Sequence, residues 1–122
     1  MKATPIDNPI RNVILDADDR PLEELYIPEW DVTVYIAAMC GSGRDRFEIE
    51  VMWWGREKTT DNNFRAKLAV KTVCDKDGNL IFSDADAEKL GQKSAKALDR
   101  ILKVAKRLNG LSAEDVEELE KN

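Results

Sequence analysis

The stretch SAKALDRILKVAKRLNG, from Ser94 to Gly110, limits the possible folds more than any other part of the chain. Leu98, Ile101, Leu102, Ala105 and Leu108 recur at helical spacing and form one apolar stripe, so the segment has to be an amphipathic helix laid against a core. On the opposite side Lys96, Arg100, Lys103 and Arg107 fall at i, i+4, i+7 and i+11 and make a continuous basic face. Charge runs of this kind are usually solvated surface, and this one is also a candidate contact surface. With 122 residues the chain suits one domain, and folding buries roughly 65% of the surface that the unfolded chain exposes.

Asn109-Gly110 stops that helix. Ser112 and Asp115 then form a capping box, with Leu111 and Val116 at the N′ and N4 positions of a hydrophobic staple. Stop, cap and staple agree, so RLNGLSAEDVEELEKN (107–122) reads as an ordered helix-stop-helix unit. A helix this short is marginal in water by itself, and it has to dock through Leu111, Val116 and Leu119. Its outer residues, Glu114, Asp115, Glu117, Glu118 and Glu120, are acidic and suit the basic stripe of this chain or of a neighbouring subunit.

Upstream, Pro5, Pro9, Pro21 and the cluster Asp16, Asp18, Asp19 oppose long regular structure, which suggests an extended, partly ordered arm over residues 1–22 before a single domain over 23–122. Leu25 and Ile27, then Val32, Val34 and Ile36, alternate as half-buried strands do, with Pro28, Glu29 and Trp30 as the turn between them. The next segment, CGSGRDRFEIEVMWWG, fits two periods. As a helix, Ser42 caps Asp45, and Phe47, Val51 and Trp54 recur at i, i+4, i+7; as a strand, Phe47, Ile49, Val51 and Trp53 alternate with Glu48, Glu50 and Met52. The cap and glycines favour helix, whereas the propensities of Ile, Val and Trp favour strand.

A helix with an asparagine cap is expected over NNFRAKLAVKTVC, then a short hairpin closed by Asp77-Gly78 between Val73-Cys74 and Leu80-Ile81. In SDADAEKLG, Ser83 and Asp86 open a short helix and Gly91 supplies a left-handed stop. The fold class is α+β: a mostly helical single domain with an N-terminal β-hairpin and a C-terminal helix-stop-helix unit.

Composition narrows the chemistry. The net charge is -5 and charged residues make up 35% of the chain, a balance that favours solubility and works against wrapping nucleic acid. No apolar run approaches the about 20 residues that cross a bilayer, and MKATPIDNPIRN lacks the apolar centre of a signal peptide, which points to the cytoplasm and away from the membrane. There is no histidine, and Cys40 and Cys74 are far apart, so they read as two reduced thiols. No nucleophile-base pair, phosphate loop or metal-ligand spacing is found, and the chain reads as a non-enzyme without metal or cofactor. The groups best suited to a protein partner are Trp30, Trp53 and Trp54, because tryptophan is enriched at interface hot spots. Adjacent tryptophans point in different directions on a helix or a strand, so one of Trp53 and Trp54 should be the less buried contact.

In order along the chain stand Asp18-Asp19-Arg20-Pro21, Ile27-Pro28-Glu29-Trp30, Gly43-Arg44-Asp45-Arg46-Phe47-Glu48, Asp75-Lys76-Asp77-Gly78, Leu80-Ile81-Phe82-Ser83-Asp84, Lys93-Ser94 with Ala97-Leu98-Asp99-Arg100, and Leu108-Asn109-Gly110-Leu111-Ser112. Together they resemble the tail assembly chaperones of long-tailed (siphovirus) phages and related prophages. The resemblance implies a self-associating protein of the bacterial host cytoplasm that coats the tape measure protein, helps tail-tube protein polymerise around it, and is absent from the finished virion. It also implies a helical fold with a small β portion, more helical than EIEVMWW suggests, and a longer isoform made by programmed frameshift. Glu120-Lys121-Asn122 can be encoded GAA AAA AAC, which contains a slippery A AAA AAC run. Trp53, Trp54, Trp30 and the stripe Lys96, Arg100, Lys103 and Arg107 are then the candidate partner-binding residues. Two other readings are a structural tail or head-completion protein retained in the virion, and a small regulatory module that binds nucleic acid through the basic stripe.

Overall fold

In the computed structural model, residues 7–57, 63–112, 114, 115, 117 and 118 are described, with side chains between 52 and 57 outside that description. The expected hairpin is formed by β1 (Leu22–Ile27) and β2 (Val32–Ala37), antiparallel with Leu25 opposite Val34 and Ile27 opposite Val32. Burial alternates along β1 and ends on the fully buried Ile27, the period-two signature of a strand covered on one face. A two-residue strand, β3 (Val73–Cys74), pairs with the other edge of β2 and completes a three-stranded antiparallel sheet. The segment after it returns through a bridge between Cys74 and Leu80, as the Asp77-Gly78 turn predicts.

The ambiguous segment is a helix, α2 (Gly41–Glu57). Burial decides between the two periods: Phe47 and Val51 are buried while Ile49, which a strand would place on their face, is 64% exposed. The cap differs from the expected one. Cys40 holds the first turn, its carbonyl accepting from Arg44 N at 2.8 Å and its thiol from Gly43 N at 3.4 Å, so Ser42 lies inside the helix. Phe47 then meets Phe64 of α3 (Phe64–Thr72) edge to face, with ring centroids 5.6 Å apart.

Three other local expectations need correction. Residues 9–15, expected to be extended, form a helix, α1 (Pro9–Leu15), because Pro9 sits in its first turn and Asn8 Oδ1 accepts from Ile10 N at 2.8 Å. Asn63 precedes α3 without capping it. Its backbone is left-handed, with φ +53°, and its amide instead donates to Ala87 O at 3.0 Å, tying α3 to α4 (Ala87–Leu90). Gly91 stops α4 in the ordinary right-handed region, with φ -63°, so the helix end does not require a glycine. The requirement is space, since a Cβ there would collide with the Asn63 amide.

The long amphipathic helix is α5 (Ala95–Leu108), and Leu98, Ile101, Leu102 and Ala105 of its expected stripe are buried, with Leu108 half-buried against the same core. Its end is a Schellman motif: Leu111 N reaches Lys106 O at 2.9 Å, Gly110 N reaches Arg107 O at 3.3 Å, and Gly110 takes φ +64°. Asn109 fastens this stop to the rest of the molecule, its Oδ1 accepting from Met39 N at 2.7 Å while its carbonyl accepts from Arg44 at 3.0 Å. Leu111 is buried, and the capping box forms in both directions between Ser112 and Asp115, each bond 3.0 Å. Val116 and Leu119, the remaining expected docking residues, lie outside the described residues.

Candidate partner-binding surfaces

The sheet and α5 together determine what becomes of the basic stripe. α5 runs antiparallel to β1, so that its two arginines reach the two ends of the hairpin. Arg100 makes a two-pronged pair with Glu29 in the hairpin turn, Nε to Oε1 at 2.8 Å and Nη2 to Oε2 at 3.0 Å. Arg107 Nη2 lies 2.6 and 2.7 Å from the two carboxylate oxygens of Glu23. The bond to Arg100 is the main reason that the Glu29 carboxyl titrates below its ordinary range, and each arginine is raised in turn by its carboxylate. Lys96 and Lys103, at the other two positions of the stripe, are exposed. The four residues therefore divide into two that carry the hairpin and two that face solvent.

Trp30 sits in the hairpin turn, half-buried and packed against the core, with its amide donating to Ile27 O at 3.2 Å. Trp53 and Trp54 belong to the backbone of α2, and their side chains lie outside the described residues.

Two apolar surfaces were not among the candidates. On α1, Ile10, Val13, Ile14 and Leu15 are each between 65% and 70% exposed, and no residue of the helix is buried. A shallow groove between Ile81, Phe82 and Leu90, with Asp86, Lys89 and Lys93 on its rim, opens beside α4. The first was legible in the sequence: Asn-Pro marks a helix start, and Ile10, Val13 and Ile14 follow at i, i+3, i+4. The second was not, because Ile81 and Phe82 lie in a segment without period.

Cys40 is exposed and Cys74 buried, and both are free thiols. Hydrogen bonding to Ser42 draws the Cys40 thiol below its usual value, while burial pushes that of Cys74 up. Among the described residues no three His, Cys, Asp or Glu side chains come together as a metal site, and no helix is long and apolar enough to cross a membrane.

This arrangement of exposed apolar and charged surfaces around one small core is suited to contact with other proteins, and comparison with known proteins agrees. The model of a family described as phage tail assembly chaperone matches residues 10–122. The chain belongs to the phage tail assembly chaperone family. Its fold is also that of a solved relative, the tail assembly chaperone of bacteriophage HK97, with a TM-score of 0.58 and 23% identity over 81% of this chain and 96% of the other. No curated protein matches the sequence. The role that follows from membership is that of a chaperone in phage tail assembly, and the resemblance carried by the ordered motifs from Asp18-Asp19-Arg20-Pro21 to Leu108-Asn109-Gly110-Leu111-Ser112 led to the same family.

Proposed function

We propose that this tail assembly chaperone acts in the host cytoplasm, where many copies hold the tape measure protein and promote polymerisation of tail-tube protein around it, and that it leaves before the virion is complete. The observation that carries this reading is the family match across residues 10–122, nearly the whole chain. A long client held by many copies needs only weak contacts from each, because linked contacts add through effective concentration. The chain has suitable surface: Ile49 of α2 is exposed, whereas Phe47 and Val51 face the core.

Trp53 and Trp54 of α2 are the candidate client contacts, as large amphipathic groups of the kind enriched at interface hot spots. Lys96 and Lys103 add a polar contribution to client binding from α5. A longer isoform, continued from a slippery run at Glu120-Lys121-Asn122, would carry a second domain on the same body, and the nucleotide sequence at those codons tests that part directly.

The experiment is co-expression with the tape measure protein of the same phage, followed by capture of either partner and mass spectrometry of purified virions. Recovery of a complex, with this chain missing from virions, is expected. Stoichiometric presence in virions would replace the chaperone reading with that of a retained structural protein.

A further inference from the structure

A cavity of about 330 Å³ opens beside the first turn of α2, with Met39, Val70, Leu80 and Phe82 as its apolar walls. Arg20, from the segment before β1, and Arg46, near the start of α2, reach it from two different elements. Both are exposed, and neither makes a hydrogen bond or an ion pair among the described residues. Lys71 also lines the cavity, but it is already neutralised. Its side chain is 8% exposed, and its Nζ lies 2.9 Å from Asp84 Oδ1 and 3.3 Å from Glu50 Oε1. Among the described residues of the lining Asp84 carries the one carboxylate, and Lys71 holds it. What remains is an apolar pocket with two unpaired guanidiniums, at the positive end of a 17-residue helix.

We propose that this cavity binds the C-terminal residue of a partner chain, one with an apolar side chain, whose free carboxylate is held by Arg20 and Arg46. Size is the first reason: about 330 Å³ is near the lower end of small-ligand sites, which leaves room for about one or two residues and none for a length of helix. Charge is the second, since a planar guanidinium matches a carboxylate and the first turn of a helix favours the same charge. An aspartate or glutamate within a chain brings the carboxylate without an apolar body. A chain end after leucine, valine or phenylalanine brings both in a single residue, which is the combination that the apolar walls and the two arginines complement. The site makes no use of the tryptophans proposed as client contacts and stands or falls apart from them.

The test is fluorescence anisotropy on the full chain with labelled pentapeptides that differ only at the end: leucine or phenylalanine with a free carboxylate, the same two amidated, and serine with a free carboxylate. The free-acid leucine and phenylalanine peptides should bind, and amidation or serine should each weaken binding about tenfold. Arg20→Gln and Arg46→Gln should each weaken it about fivefold, as should Leu80→Asp in the apolar wall. All three side chains are exposed, and circular dichroism checks that each variant is folded. Cys40, an exposed thiol in the lining, reports occupancy: saturating free-acid peptide should slow its alkylation by iodoacetamide, read by mass spectrometry with the buried Cys74 as reference. The proposal fails if neither free-acid peptide binds, if the amidated peptides bind as tightly, if Arg20→Gln with Arg46→Gln binds as the wild type does, or if Cys40 stays as reactive under saturation. Inorganic phosphate is the last arm. Protection of Cys40 by phosphate equal to that by peptide would make this a general anion site and overturn the assignment to a chain end.

Discussion

Arg100 and Glu29, 71 residues apart in sequence, meet through two parallel hydrogen bonds of 2.8 and 3.0 Å that join the middle of α5 to the turn of the hairpin. Their geometry is the fork-on-fork arrangement that makes arginine more specific than lysine. Its value is orientation, because the pair is near solvent and is screened by salt. Arg100→Glu and Glu29→Arg should each lower the thermal midpoint, and the double exchange should recover most of the loss. A double variant as unstable as the sum of the singles would show that the pair does not couple.

Acidification should destabilise the fold. The carboxyls of Glu29, Asp75 and Asp115 are all held below their ordinary values, by Arg100, by the Asn79 amide and by the Ser112 amide respectively. A lowered folded-state pKa contributes stability that is fully present above the unfolded value, 4.5 for Glu29 and 3.8 for the two aspartates, and is lost as pH falls through the folded value. Denaturant midpoints measured from pH 7 to pH 3 should therefore be level at first and then fall below about pH 4.5. In Arg100→Gln the fall should be shallower.

Core truncation should be costly on α5 and harmless on its outer face. Ile101 is 1% exposed, so Ile101→Ala should cost about 2 to 5 kcal/mol through lost burial and the cavity left behind. Lys103→Ala, at an exposed position of the same helix, should stay within about 0.5 kcal/mol of wild type. Urea unfolding of both variants checks the contrast.

Two glycines should resist alanine for different reasons. Gly110→Ala forces a side chain into the left-handed region and should cost about 1 to 2 kcal/mol. Gly91→Ala pushes the Asn63 amide away from Ala87 O and should cost about 1 kcal/mol, the worth of that hydrogen bond. Adding Asn63→Ala to Gly91→Ala should add little further loss, whereas Gly110→Ala and Asn63→Ala should be additive.

The two neighbouring tryptophans should matter for the client. Replacing Trp53 and Trp54 together by Ala should weaken capture of the tape measure protein without unfolding the chain, as circular dichroism checks. Full client binding in the Trp53→Ala, Trp54→Ala double variant would remove α2 from the client surface.

Much of this architecture was legible because it is local. The alternation of Leu25 and Ile27, the stripe from Leu98 to Leu108, the Asn109-Gly110 stop and the Ser112-Asp115 box each involve residues a few positions apart, and backbone geometry alone relates them. The Arg46–Trp54 region was not decidable in that way. Its residues fit two periods, and only the partner surface, where Phe47 packs on Phe64, selects the helix. Asn63 misled for a similar reason, since its backbone is left-handed and its side-chain amide donates to Ala87 O, 24 positions away, while its oxygen accepts nothing from the first turn of α3.

By itself, then, the sequence determined the α+β class, the hairpin, the main core helix and its stop at Asn109-Gly110, along with the motifs that mark the family. Tertiary structure decided that α2 is a helix, that Arg100 and Arg107 serve the hairpin while Lys96 and Lys103 remain exposed, and that α1 leaves its apolar face uncovered. The division follows from range. Periodicity and capping act within one or two turns of backbone, whereas burial and ion pairing depend on which distant surfaces the packed core brings together.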